Sequence, residues 1–79
     1  MFIVYILKCK DYSLYTGITN NLENRLKQHK EGKGSKYVRA RLPFKLVYTE
    51  KTKSKSDALK KEIKIKRLTR KEKLQLIRI

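Results

Sequence analysis

The chain has 79 residues, and 22 lysines and arginines against seven aspartates and glutamates give it a formal net charge of +15. That length predicts one small domain spanning residues 1–79, and one cysteine with one histidine excludes both a disulfide framework and a Cys/His zinc site. Charge of one sign in this excess repels itself and calls for an anionic partner; nucleic acid fits, because each Lys or Arg can neutralise a phosphate and release its counterion.

Residues 2–7 (FIVYIL) are apolar on both alternating faces, which predicts a central strand covered on both sides. Lys8 interrupts this run, so it is too short for a signal h-region or a membrane span, and a soluble cytoplasmic protein is expected, nucleoid-associated or free. Residues 14–19 (LYTGIT) predict a second strand, with 8–13 as a mid-length hairpin loop that holds Cys9. In such a hairpin Tyr5 and Tyr15 share a face, directly opposite or one diagonal step apart. Gly17 lies on that face too, where a strand glycine marks close approach of a backbone or ligand.

A helix is expected from Asn20, with Asn20 as its cap, Glu23 bonding back in a capping box, and Gly32 as its stop. At 100° per residue Leu22, Leu26 and His29 fall in one narrow arc with Arg25 on its flank. His29 there is either a satisfied core histidine or part of a site. Arg25 rarely turns inward without a carboxylate or phosphate to meet.

Residues 30–43 (KEGKGSKYVRARLP) form the most basic irregular segment. It is either a solvated connector or a phosphate-tracking arm. In the second reading Lys33, Lys36, Arg39 and Arg41 meet phosphates and Tyr37 stacks. Residues 44–50 predict a third strand with Phe44, Leu46 and Tyr48 on its buried face. The next helix is expected over 56–68, capped by Ser54 or Ser56, with Ala58, Leu59, Glu62, Ile63 and Lys66 on its inward arc. An i,i+4 ion pair from Glu62 to Lys66 is worth only about 0.2–0.5 kcal/mol. That is little reason to turn a carboxylate inward, whereas a divalent cation would be one. Thr69-Arg70-Lys71-Glu72 is a capping box for a last, structural helix that packs through Leu74 and Ile77.

Taken together, Tyr5 in VYIL, Tyr15-Thr16-Gly17, Arg25 and His29 on one helix and Glu62 on a later one resemble the GIY-YIG nuclease superfamily over essentially the whole chain. The segments YILKCKDYSLYTGIT, LENRLKQH, GKGSKY and ALKKEIKIKRL are most similar to its small stand-alone bacterial members. The GIY triplet reads Ile3-Val4-Tyr5 and YIG reads Tyr15-Thr16-Gly17, so both tyrosines and the glycine are kept. The resemblance implies an α+β fold, a small three-stranded antiparallel sheet flanked by helices. It also implies an endonuclease that hydrolyses phosphodiester bonds with one Mg²⁺ or Mn²⁺. In that family Glu62 would hold the metal, Arg25 would stabilise charge on the phosphorane, and Tyr5 would be the general base or orient the water. Tyr15 and His29 would position the water, share its proton or hold the phosphate. For Tyr5 to act as a base its phenol must fall from a pKa of about 10, and the surrounding positive charge is expected to push it down. The implied partner is DNA, with RNA possible. The small size favours branched, nicked or single-stranded DNA over a strict sequence, and a slow or inactive binding protein on the same fold is the alternative.

Overall fold

The computed structural model describes residues 1–77. Its elements are β1 (Phe2–Cys9), β2 (Leu14–Thr19), α1 (Leu22–Lys30), α2 (Lys36–Arg39), β3 (Phe44–Thr52), α3 (Lys55–Lys66) and α4 (Arg70–Ile77). The three strands make one antiparallel sheet in the order β2-β1-β3. The run that is apolar on both faces is therefore central, as its pattern requires. Among the described residues no helix is long and apolar enough to cross a membrane.

Alternation along β1 feeds two cores. Val4 and Ile6 face Ala58 and Ile65 of α3, with Leu76 and Ile77 of α4 packed alongside. Tyr5, Leu7 and Cys9 face Val38 of α2, with Leu22 and Leu26 of α1 completing that layer. The sheet is thus sandwiched between α1–α2 and α3–α4, and each layer is small.

The hairpin is longer and tighter than expected. β1 continues to Cys9 because Cys9 pairs with Phe44 of β3, which leaves a tip at residues 10–13. The tip closes through Cys9 N–H donating to Ser13 O at 2.9 Å and Tyr12 N–H to Cys9 O at 2.9 Å. Cys9 is consequently buried, not a loop residue, and burial pushes its thiol pKa up, away from reactivity.

Helix starts follow side-chain caps, with one correction. The Thr19 hydroxyl accepts from Asn21 N–H at 3.0 Å, and the Asn21 carboxamide oxygen accepts from Asn24 N–H at 3.0 Å. The cap is therefore Asn21 and not Asn20, so Asn24, not Glu23, occupies the third helical position and no capping box forms. At the far end Gly32 sits at φ 78°, with its N–H on His29 O and Lys33 N–H on Gln28 O, a Schellman stop. Ser54 caps α3, which starts at Lys55, and Thr69 and Glu72 exchange both capping-box bonds at the head of α4.

Burial expectations fail in three elements. In β3 the register slips between Ile6↔Tyr48 and Leu7↔Leu46, leaving Val47 as a bulge. Phe44 therefore packs with the Tyr5 layer, Val47 and Tyr48 with the Val4 layer, and Leu46 is left exposed. On α3 the inward stripe at i, i+4 and i+7 is Ala58 and Ile65, both buried, with Glu62 half-buried between them, while Leu59, Ile63 and Lys66 lie outward of it. On α4 it is Leu76 with Ile77 that packs, and Leu74 is exposed.

Candidate functional site

The site is assembled on the Tyr5 face of the sheet. The observed pairing sets Tyr5 opposite Gly17 and Leu7 opposite Tyr15, so the two tyrosines are one diagonal step apart on one face. Their ring centroids are 6.4 Å apart. Gly17 has a definite reason to be glycine: a Cβ there would lie 2.5 Å from the Tyr5 hydroxyl oxygen. The phenol fills the place of the missing side chain and runs across the edge strand toward α1.

On α1 the wheel turns His29 fully inward, where it is 1% exposed. Its Nε2 lies 2.8 Å from the Tyr5 hydroxyl. The ring meets Tyr15 edge-on at 5.5 Å and Phe44 at 6.0 Å. His29 Nδ1 is buried without a hydrogen-bond partner. Gly34 closes over it, since a Cβ at that glycine would come within 2.6 Å of Nδ1. Gly34 carries no signal beyond loop chemistry in the sequence, yet its missing side chain makes room for the imidazole.

Electrostatics corrects one expectation. The Tyr5 phenol is pushed well above its ordinary value, not below it. Burial is the main cause, the neighbouring Tyr15 adds to it, Arg25 opposes it and Glu62 adds a little more. The positive surface is too well screened to offset burial of a single phenol. Burial, and then Arg25, hold His29 below its usual value, so at neutral pH the imidazole is uncharged and the phenol protonated. With the phenol donating to Nε2, the imidazole proton resides on Nδ1.

Arg25 is half-buried on the flank of α1, and its field reaches both Tyr5 and His29. Glu62 is on α3, whose buried residues pack on the opposite face of the sheet, but its field still reaches Tyr5. Its side chain is only 17% exposed, and one carboxylate oxygen meets the Lys66 ammonium at 3.5 Å. Among the described residues no three His, Cys, Asp or Glu side chains gather into a metal-binding group. A single carboxylate does not make a cage for Ca²⁺ or Zn²⁺. It does suit Mg²⁺ or Mn²⁺, which can keep several waters and take the remaining oxygens from a substrate phosphate.

The arm after α1 is partly built into the site. Tyr37 stacks on Tyr15 with centroids 5.9 Å apart and planes 27° apart. The Arg41 guanidinium carbon lies 3.8 Å above the Tyr37 ring, Nε donates to Asp11 at 3.0 Å, and Nη1 donates to the Tyr37 carbonyl at 3.1 Å. Arg41 is therefore committed to holding the arm against the hairpin tip. Lys36 and Arg39 are on the same arm, and Lys33 pairs only loosely with Glu31 at 4.0 Å. The structure thus brings Tyr5, Tyr15, His29 and Tyr37 into contact, with Arg25 at close electrostatic range and Glu62 acting from the other layer.

Comparison with known proteins identifies the family. Residues 1–75 match the model of the GIY-YIG catalytic domain. The chain belongs to the GIY-YIG family. It is 58% identical over 74 residues to UPF0213 protein OB0043 of Oceanobacillus iheyensis, covering 94% of this chain and 86% of the relative. It is 62% identical over 74 residues to UPF0213 protein CPE1444 of Clostridium perfringens, covering 94% and 80%. Among solved structures, the solution structure of UPF0213 protein BH0048 from Bacillus halodurans is similar at a TM-score of 0.63 and 49% identity, covering 98% of this chain and 83% of that one. A GIY-YIG domain of this kind belongs to a nuclease family and implies contact with nucleic acid.

Proposed function

We propose that this GIY-YIG protein is a divalent-metal-dependent DNA endonuclease, selective for branched, nicked or single-stranded structures more than for sequence. The observation that carries the reading is the buried Tyr5–His29 hydrogen bond of 2.8 Å, set beside Tyr15 and within the field of Arg25. A bond between two uncharged, proton-exchanging groups in a small core is costly to desolvate, and a merely structural core would be simpler with apolar residues there.

In this reading Tyr15, the more exposed phenol, orients the attacking water. The Tyr5–His29 pair behind it relays that water's proton: Tyr5 Oη takes it up as Tyr5 passes its own proton to His29 Nε2. The low affinity of His29 for that proton keeps the imidazole neutral and ready beforehand. Arg25 neutralises the charge that builds on the phosphate oxygens, through a guanidinium fork that matches them. Glu62 would hold Mg²⁺ or Mn²⁺, whose chemistry is to polarise the phosphate and stabilise the leaving oxygen.

A panel of branched, nicked, single-stranded and blunt duplex DNAs, incubated with Mg²⁺ or Mn²⁺ and with a chelator, tests this. Cleavage of the discontinuous substrates, abolished by the chelator, is the expected result. Cleavage that survives chelation would sink the metal reading, and tight binding of every substrate without cutting would favour the binding-protein alternative.

A further inference from the structure

The hairpin tip, away from the Tyr5 site, has the chemistry of a nucleotide-binding surface. Tyr12 is 64% exposed and sits at φ 68°, a left-handed conformation that a bulky side chain adopts only at a cost. The turn bonds hold it there: its own N–H donates to Cys9 O, and Asp11 accepts from both Ser13 N–H and the Ser13 hydroxyl. The result is an aromatic ring presented to solvent by a rigid backbone. The Lys8 ammonium lies 5.1 Å from the ring centroid. Tyr12 also forms one wall of a shallow cleft of about 250 Å³, in which Lys8, Lys10, Lys45 and Pro43 are the other main walls. None of the three lysines is in a salt bridge among the described residues.

We infer that this cleft binds one unpaired nucleotide of a DNA strand that continues toward the Tyr5 site, with the base stacked on Tyr12 and its phosphates on Lys8, Lys10 and Lys45. Stacking on an aromatic face beside a positive groove is how single strands are held without regard to sequence. Bases inside a duplex are stacked on both faces and offer none to such a ring, so the tip discriminates unpaired DNA from duplex interior. The route to the site is marked. Asp11, next to Tyr12, bridges to Arg41; Arg41 lies on Tyr37; and Tyr37 stacks on Tyr15. Cys9, at the base of the tip, is about 13 Å along β1 from Tyr5. The inference rests on the proposed action on DNA and adds which feature of the DNA is recognised.

Binding measured in chelator separates the two proposals, because no cutting is involved. The probes are a labelled ten-nucleotide oligothymidylate and a blunt duplex, read by fluorescence anisotropy. Tyr12→Gly removes the ring while glycine accepts the positive φ freely, so the turn stays intact. Tyr12→Gly is expected to weaken single-strand binding about tenfold and to leave duplex affinity within twofold, and Tyr12→Phe is expected to restore it. Unchanged single-strand affinity in Tyr12→Gly, an equal loss on duplex, no rescue by phenylalanine, or no binding of the wild type to the single strand would each overturn the inference. Absence of cleavage by the wild type would count against the nuclease reading alone.

Discussion

The Tyr5–His29 pair makes the site sensitive to single atoms. Gly17→Ala places a methyl 2.5 Å from the Tyr5 hydroxyl, and the phenol cannot yield without breaking its bond to His29. Overpacking of this kind costs about 1–3 kcal/mol. Chemical denaturation should show that loss, and an unchanged midpoint would mean the hairpin shifts freely. The same pair sets a pH window. His29 has a folded pKa below its ordinary 6.5, so as pH falls through 6.5 the unfolded chain takes up a proton that the folded chain refuses, and stability declines. Tyr5 has a folded pKa above its ordinary 10.0, so stability holds below pH 10 and is lost as pH rises beyond it. Melting temperature against pH should therefore show a plateau between these limits. His29→Gln, which cannot titrate, should flatten the acid limb above the range where carboxylates protonate. An acid limb unchanged in that variant would assign it to other groups. That Tyr5, Tyr15, Arg25 and His29 are neighbours is legible in the sequence through strand alternation and the helical wheel. The direction of the Tyr5 shift is not, because net charge is a property of the chain whereas desolvation depends on how deeply one ring is packed.

Elements of regular period are legible in the sequence, and their junctions less so. Strand propensity and capping chemistry locate three strands and the three longer helices. The cap of α1 is displaced by one residue from its expected place because Asn20 and Asn21 are chemically equivalent, and only the Thr19 hydroxyl bonded to Asn21 decides between them. The bulge at Val47 is invisible in a segment that alternates without interruption, since it depends on the partner strand. On α3 the wheel puts Ala58, Leu59, Glu62, Ile63 and Lys66 inward; Ala58 and Glu62 do face inward, but Ile65 joins them while Leu59, Ile63 and Lys66 turn outward. Arg41 reads as a phosphate contact in the sequence, and its salt bridge to Asp11, 30 residues away, exists only once the chain is folded. That clamp gives an element-level expectation. Arg41→Ala removes an exposed ion pair and a cation–π interaction, together about 1 kcal/mol, so the melting temperature should drop by about 4–8 °C. It should also release residues 30–41, detectable as faster amide exchange at Tyr37. Unaltered exchange there would show that stacking on Tyr15 alone holds the arm.

At the scale of the molecule, charge and small size act together. A net charge of +15 on 79 residues leaves most cations without an acidic partner, so affinity for DNA should fall linearly in log–log form with salt. Replacing Lys33, Lys36 and Arg39 with glutamine should make that slope shallower by about 2–3 units, at ~0.9 for each phosphate that is no longer neutralised. A slope unchanged by the triple substitution would remove the arm from the interface. The sheet carries the tyrosines on one face and is crossed on the other by the helix that bears Glu62, so the proposed chemistry depends on both layers being in register.

Single-turnover cleavage by wild type and Glu62→Ala, each bound beforehand to the same branched DNA and started with Mg²⁺, tests that dependence most directly. Glu62→Ala is expected to bind the DNA as tightly as wild type and to fail to cut it. Cutting by Glu62→Ala at the wild-type rate would contradict that expectation.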